Sequence, residues 1–220
     1  MMTILQQYRR EVGAGVTIMT TREEHAPALE ALQRLVFPNL APQSLLRQEH
    51  YRHHITMFPE GQFVAVKDGK VVGMTTTIRY TLDPQDQHTF DEVLDGGFLN
   101  THQPEGEWLY GMDIGTHPDY RGLGIASFLY AARQDTVVAL NLKGQYTYGM
   151  LNGYGAVRDK ITAVRYYEEL LAGKRKDPTV SRQMNNGFKP MGLVAGYVED
   201  PTCDGYCVLL VRENEHYRTK

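Results

Sequence analysis

The 220-residue chain has little cysteine, no long apolar run and almost no net charge. Two cysteines, Cys203 and Cys207, exclude a disulfide-stapled scaffold. The longest apolar stretches, such as Cys207-Val208-Leu209-Leu210-Val211, have the length of strands. They fall far short of the ~20 residues that span a bilayer, so no membrane partner is expected. The N-terminal residues MMTILQQYRR lack the apolar segment and cleavage site of a secretory signal, and a cytoplasmic location is expected. With 23 Lys and Arg against 26 Asp and Glu, the formal charge is −3. No excess of cations exists to neutralise many phosphates, which excludes a general nucleic-acid binder. What is present is an ordinary globular composition, 42% hydrophobic and 22% charged. Such a chain can bury a real core, and it is not disordered.

Residues 1–15 read as a tail and 16–215 as one mixed α/β domain, with no repeat and no linker. Val16–Met19 alternates like a strand. Thr21 and Glu24 have the spacing of a capping box before Leu29, Leu32, Leu35 and Val36, and Phe37-Pro38 ends that helix. A second helix is predicted from Gln43 to Phe58. Phe63–Lys67 and Lys70–Met74 flank Asp68-Gly69, a hairpin turn, and the second strand extends to Tyr80. Residues 82–106 form a polar segment, either a binding loop or a solvated insertion, with one short helix at Phe90–Leu94. Strands follow at 108–114 and 146–151, with a helix from Gly122 to Leu140 between them. Helical patterns at 156–172 and 178–186 form an insertion near 156–183. Gly192–Val198 and Tyr206–Val211 are the last strands.

The stretch Ile114-Gly115-Thr116-His117-Pro118-Asp119-Tyr120-Arg121-Gly122-Leu123-Gly124-Ile125-Ala126 runs from strand to helix. Two glycines let the backbone approach a ligand, and the new helix leaves N–H groups without partners. Those donors, with Arg121 beside them, make a receptor for a phosphate or pyrophosphate. No Gly-Lys-Ser/Thr follows, so this is not a nucleoside triphosphate loop.

Arg121-Gly122-Leu123-Gly124-Ile125-Ala126 resembles the Arg/Gln-x-x-Gly-x-Gly/Ala signature of the GCN5-related N-acetyltransferases, the GNAT family, and the order of elements agrees. Phe58–Phe63, Leu109-Tyr110-Gly111, Asp177-Pro178 and Asn186-Gly187-Phe188 resemble the acetyltransferase module fused to carbon–nitrogen hydrolases in some bacteria. The resemblance implies an α/β (α+β) fold whose mixed sheet of about seven strands splays between the fourth and fifth, 108–114 and 146–151. It also implies acetyl-CoA as co-substrate. Its pyrophosphate would lie on the N–H groups of Gly122, Leu123, Gly124, Ile125 and Ala126 beside Arg121. Its pantetheine arm would pair with the backbone at Met112 and Ile114, and Asn152 completes the implied cofactor set.

Transfer of an acetyl group to a primary amine requires an ammonium that titrates near ~10.4 to lose a proton first. Asp113 interrupts an apolar strand beside the implied thioester and is the candidate base; alternatively, it pairs with a cation or caps N–H groups at a bulge. The strand-start Glu107 is the second choice. Where the family carries its acidic tyrosine, four residues before Gly187-Phe188, this chain has Gln183. Tyr166 or Tyr167 of the insertion, or else Tyr148 or Tyr154, would take the role; each is otherwise a packing residue. His50, His53 and His54 share a helical face, and Cys203 and Cys207 flank a turn. Neither set completes a metal signature, and no metal is expected. The expected activity is direct attack in a ternary complex by a small-molecule or peptide amine of open identity, with a homodimer possible. The rivals are a non-catalytic acyl-CoA-binding sensor or partner protein, and a site for another phosphate-bearing ligand.

Overall fold

The computed structural model describes residues 7–83 and 88–219; the first six residues of the expected tail and 84–87 of the polar segment lie outside them. Among the described residues, eight strands form one mixed sheet in the order β1-β2-β3-β4-β5-β6-β8-β7. They are β1 (Arg9–Glu11), β2 (Val16–Thr20), β3 (Phe63–Lys67), β4 (Lys70–Tyr80), β5 (Trp108–Thr116), β6 (Gly144–Met150), β7 (Lys189–Val194) and β8 (Cys207–Glu213). The helices are α1 (Ala26–Val36), α2 (Gln48–Met57), α3 (Phe90–Leu94), α4 (Ile125–Ala139), α5 (Ala163–Leu171) and α6 (Val180–Asn185).

Alternation along the strands decides which helix covers which face. Phe63 and Ala65 of β3, with Val16, Ile18 and Val72, pack under Ile125, Leu129 and Ala132 of α4. Val64 between them turns the other way and joins Met74 and Ile78 under α1 and α2, through Ala26, Leu29, Leu32 and Tyr51. The sheet is thus sandwiched between α1 with α2 and, on the other side, α4.

Several expectations need correction. The strand count is eight because Arg9–Glu11, read as tail, pairs antiparallel with Thr17–Met19. Thr21 and Glu24 do not form a capping box. Thr21 donates its N–H to Gln62, and the Arg22 N–H is taken by His25 Nδ1 at 3.0 Å. The second helix starts at Gln48, because Pro42–Ser44 makes a separate 3₁₀ turn. The helical pattern at 156–172 yields helix only from Ala163, where Thr162 caps by accepting the Arg165 N–H at 3.2 Å. β7 ends at Val194, four residues short of the expected Val198. The Asp68-Gly69 turn is as predicted, with φ of 50° and 74° at the two residues.

The sheet divides at its centre. β5 and β6 run parallel and pair only through Trp108↔Gly144, Leu109↔Gln145 and Tyr110↔Tyr146. Beyond Tyr110 they part, which is the splay expected between these strands. On its other edge β5 stays paired with β4, but the register shifts: Thr76 faces Asp113 and Thr77 faces Gly111, which leaves Met112 as the extra residue of a bulge.

Candidate active site

The fork between β5 and β6 lies beside the loop that leads from β5 into α4. The loop reaches α4 through a 3₁₀ turn at Pro118–Tyr120, and α4 begins after Gly124. Gly122 and Gly124 have φ of +85° and +75°, where a side chain is strained. A Cβ on Gly122 would meet nothing within 4 Å, so the backbone there faces open space. Arg121, Gly122, Leu123 and Gly124 are exposed. Among the described residues no protein acceptor takes the N–H groups of 122–126, as the first turn of a helix dictates. These features fit a diphosphate bound by main-chain donors.

Below the loop, the β5 edge facing β6 carries Met112, which is buried, and Ile114, which is half-buried. One side-chain bond spans the crotch, Thr147 Oγ1 donating to the Gly111 carbonyl at 2.8 Å. Past that point the edge lacks a strand partner, and an extended arm can add to it as a strand would.

Asp113 sits at the bulge and is buried. Its Oδ1 accepts the Thr76 N–H at 2.7 Å, replacing a bond that the bulge removes from the ladder. Its Oδ2 has no partner among the described residues. Burial pushes its pKa up to about 6, against the opposing pull of the Thr76 bonds and of Arg133. The bulge-capping alternative therefore holds for one oxygen, and the other is free. Glu107, by contrast, is exposed and bonded to Lys143 Nζ at 2.6 Å, away from the fork.

The remaining candidates are dispersed. Tyr166 is buried and donates its hydroxyl to Asp177 Oδ2 at 3.0 Å, with the Arg175 guanidinium 4.7 Å over its ring. Burial and Asp177 raise its pKa. Asp177 also takes the N–H groups of Gly153, Thr179 and Val180, so Tyr166 braces that turn. Tyr167 is half-buried, and burial raises its pKa as well. Tyr148 stacks on Tyr197 at 4.3 Å, and Tyr154 packs edge-on against Tyr166 and Tyr206. The Asn152 amide is spent on Thr179 and Thr202 at 2.7 and 3.0 Å.

Two further buried side chains lie at the fork, Gln183, which the sequence places where the family carries its tyrosine, and Arg133, which sequence reasoning missed. Gln183 presses Oε1 against Gly149, where a Cβ would lie 2.1 Å away, and it neighbours the Tyr130 hydroxyl. Arg133 fills the hollow of Gly111 from α4. A signal for Arg133 existed: a cation on the ridge of Ile125, Leu129, Ala132 and Val137, which is otherwise apolar or neutral. The histidines of α2 do not converge. His53 meets Asn100, His54 meets the Gly97 carbonyl at 2.7 Å, and His50 Nδ1 accepts the Arg47 N–H. No group of three or more potential metal ligands occurs among the described residues. Nor is any described helix long and apolar enough to cross a membrane.

A family model described as the acetyltransferase (GNAT) family matches residues 26–171. The chain belongs to that family. It is accordingly an acyltransferase, and acyl transfer from coenzyme A is its chemistry. It is 32% identical over 206 residues to the uncharacterized N-acetyltransferase YkwB of Bacillus subtilis (strain 168), covering 93% of this chain and 91% of that protein. It is also 32% identical over 204 residues to the probable hydrolase YhcX of the same organism. That match covers 92% of this GNAT chain but only 39% of YhcX, so the likeness concerns one part of a longer protein. Among solved structures, the GphF GNAT-like decarboxylase in complex with isobutyryl-CoA superposes with a TM-score of 0.73 at 21% identity, covering 89% of this chain and 98% of that one. At that identity the likeness speaks for the fold alone.

Proposed function

We propose that this GNAT protein transfers an acetyl group from acetyl-CoA to a primary amine by direct attack in a ternary complex. The observation that carries the proposal is the forked sheet beneath an open helix N-terminus, with a free buried carboxylate oxygen at the fork. In this reading the N–H groups of residues 122–126 and Arg121 hold the diphosphate. The β5 edge at Met112 and Ile114 aligns the pantetheine arm. Asn152, whose amide and N–H are already bonded, braces the mouth of the cleft.

The bound thioester supplies the activated acyl carbon. Asp113 Oδ2 accepts the proton that the acceptor ammonium must lose, and main-chain N–H groups at the bulge meet the charge that develops on the acyl oxygen. As the C–N bond forms, the C–S bond breaks and the thiolate departs. Thiols titrate near ~8.5, so water can return the proton in the cleft and Gln183 need not be an acid. Tyr166 is committed to Asp177, and Tyr167 is the tyrosine of the pair left to assist. Asn39, Ala41, Gly196, Val198 and Glu199 line a surface groove of about 580 Å³. The exposed carboxylate of Glu199 suits a cationic amine, whether a small molecule or a peptide. The protein works in the cytoplasm, as a monomer or a homodimer.

The test is calorimetry and thermal shift with acetyl-CoA, coenzyme A, ATP and inorganic phosphate, followed by an amine panel. A ligand at a hundred times its Kd adds about 2.7 kcal/mol to the folded state. For a domain of this size that is a rise in Tm of roughly 5–10 °C. Acetyl-CoA is expected to give that rise and ATP none. Binding without acetylation of any amine would favour the sensor alternative.

A further inference from the structure

An ammonium that becomes an amide nitrogen loses two protons, one before it attacks and one from the cationic nitrogen of the tetrahedral adduct. The departing thiolate takes one back, and the other leaves the site. In the proposed reading Asp113 serves the first loss. While it holds that proton, the second needs an acceptor of its own.

The same strand carries one. Tyr110 and Asp113 of β5 face Ile78 and Thr76 of β4, which are two residues apart, so both side chains leave the sheet on the same face. They stand roughly 7 Å apart along the strand. Tyr110 is also the last residue of β5 paired with β6, at Tyr146, which puts it where the fork opens. Its side chain is buried, and its hydroxyl meets His88 Nε2 at 3.1 Å on one side and the Tyr197 hydroxyl on the other. His88, from the polar segment after β4, is half-buried, so this chain of bonds runs outward from the fork. Tyr80, Tyr110, Tyr148 and Tyr197 surround its ring, with centroids between 5.4 and 6.2 Å away.

Phenylalanines would pack here without burying hydroxyls that need partners. Instead the Tyr110 hydroxyl is tied to an imidazole, the side chain suited to taking up and releasing a proton near neutral pH. Burial and the adjacent Tyr197 hold the Tyr110 phenol neutral, its pKa well above the usual value, so it passes a proton on and does not keep one. With its own proton on His88 and one lone pair on Tyr197, the Tyr110 oxygen has a lone pair left for a third contact.

We propose that Tyr110 and His88 form a relay that takes the second proton off the acceptor nitrogen, Tyr110 touching the nitrogen and His88 acting through it. The cationic nitrogen of the adduct gives its proton to Tyr110 Oη as Tyr110 gives its own to His88 Nε2. One N–H and one O–H bond break, one O–H and one N–H bond form, and the imidazolium releases its proton to solvent. The proposal rests on the acetyltransferase reading and adds to Asp113, which keeps the first proton.

Steady-state kinetics of the full-length protein with the best amine of the panel test this, in His88→Gln, Tyr110→Phe and the double variant. Gln accepts the Tyr110 hydroxyl but cannot take its proton; Phe keeps the ring against Tyr146 and loses the hydroxyl. Each single variant is expected to lower kcat about tenfold or more with the KM for acetyl-CoA unchanged. The double variant falls no further, because both groups serve one proton, and added imidazole restores part of kcat to His88→Ala. Single variants with full kcat, or a double variant whose loss is the product of the single losses, overturn the relay. So does a slow, folded His88→Ala that imidazole leaves unchanged. If Tyr110→Phe does not fold, His88→Gln and the imidazole rescue decide, since His88 is only half-buried. A parent protein that acetylates no amine sinks the acetyltransferase reading and the relay together. An active parent with inert substitutions at both positions sinks the relay alone.

Discussion

In the proposed reading, Asp113 serves structure and chemistry at once. A bulge removes a backbone acceptor from the β4–β5 ladder, and Oδ1 replaces it on the Thr76 N–H at 2.7 Å. The same burial that demands this bond lifts the pKa to about 6, near the value a base needs at neutral pH. The working form is the ionised one. The rate is therefore expected to rise about tenfold per pH unit below 6 and to level off above 7. Asp113→Asn keeps an oxygen for Thr76 but cannot take a proton, so kcat should fall about a hundredfold or more while acetyl-CoA binding persists. Steady-state rates across pH, paired with calorimetry, check both halves; an Asn variant with an intact rate would remove Asp113 from the chemistry. The sequence pointed to this residue because a carboxylate breaks an apolar strand. Neither its bond to the Thr76 N–H nor the Arg133 side chain in the Gly111 hollow was legible, since both depend on contacts from other elements.

At the scale of elements, the loop before α4 was the most readable part of the chain. Its two glycines, read as points where the backbone can approach a ligand, adopt positive φ angles, +85° at Gly122 and +75° at Gly124. Gly122 is the cleaner probe, because an added Cβ meets no atom within 4 Å and so costs only backbone strain, about 1–2 kcal/mol. Gly122→Ala is expected to reorient the donors and weaken acetyl-CoA binding about tenfold or more, with a drop in Tm of a few degrees. Calorimetry and melting curves read the two effects separately, and unchanged affinity would place the diphosphate elsewhere. The helix starts were read less well. Arg22 and Arg47 offer their N–H groups to the ring nitrogens of His25 and His50, at 3.0 and 3.1 Å, a cap without the usual Ser, Thr or Asp signature.

For the whole molecule, buried titratable groups pull stability in opposite directions on the acid side. Burial lowers His54 to about 4, so its contribution is complete above the unfolded value of 6.5 and is lost as the pH falls through 4. His102 behaves alike, with a smaller effect because it is more open to solvent. Asp113 does the reverse: raised from 3.8 to about 6, it adds stability that is complete below 3.8 and fades as the pH rises through 6. His54 and Asp113 each amount to about 3 kcal/mol and roughly offset, so His102 and the paired surface carboxylates tip the balance. Melting temperature should therefore fall between about pH 7 and 4.5, and Asp113→Asn should steepen that fall by removing the compensating group. Calorimetric melts across this range decide it; an equal or shallower fall in the variant contradicts the assignment.

Local chemistry in the chain was enough to determine the hairpin at Asp68-Gly69, the mixed α/β class and the glycine loop that opens α4. Each rests on periodicity or on glycine conformations within a few neighbouring residues. Only the tertiary structure decided that Arg9–Glu11 completes the sheet, that Tyr166 is tied to Asp177 and that Arg133 lies under Gly111. Those outcomes depend on pairing and burial between segments far apart in the chain. A side chain's partner, and with it the cost of its charge, is set by where the other segments pack.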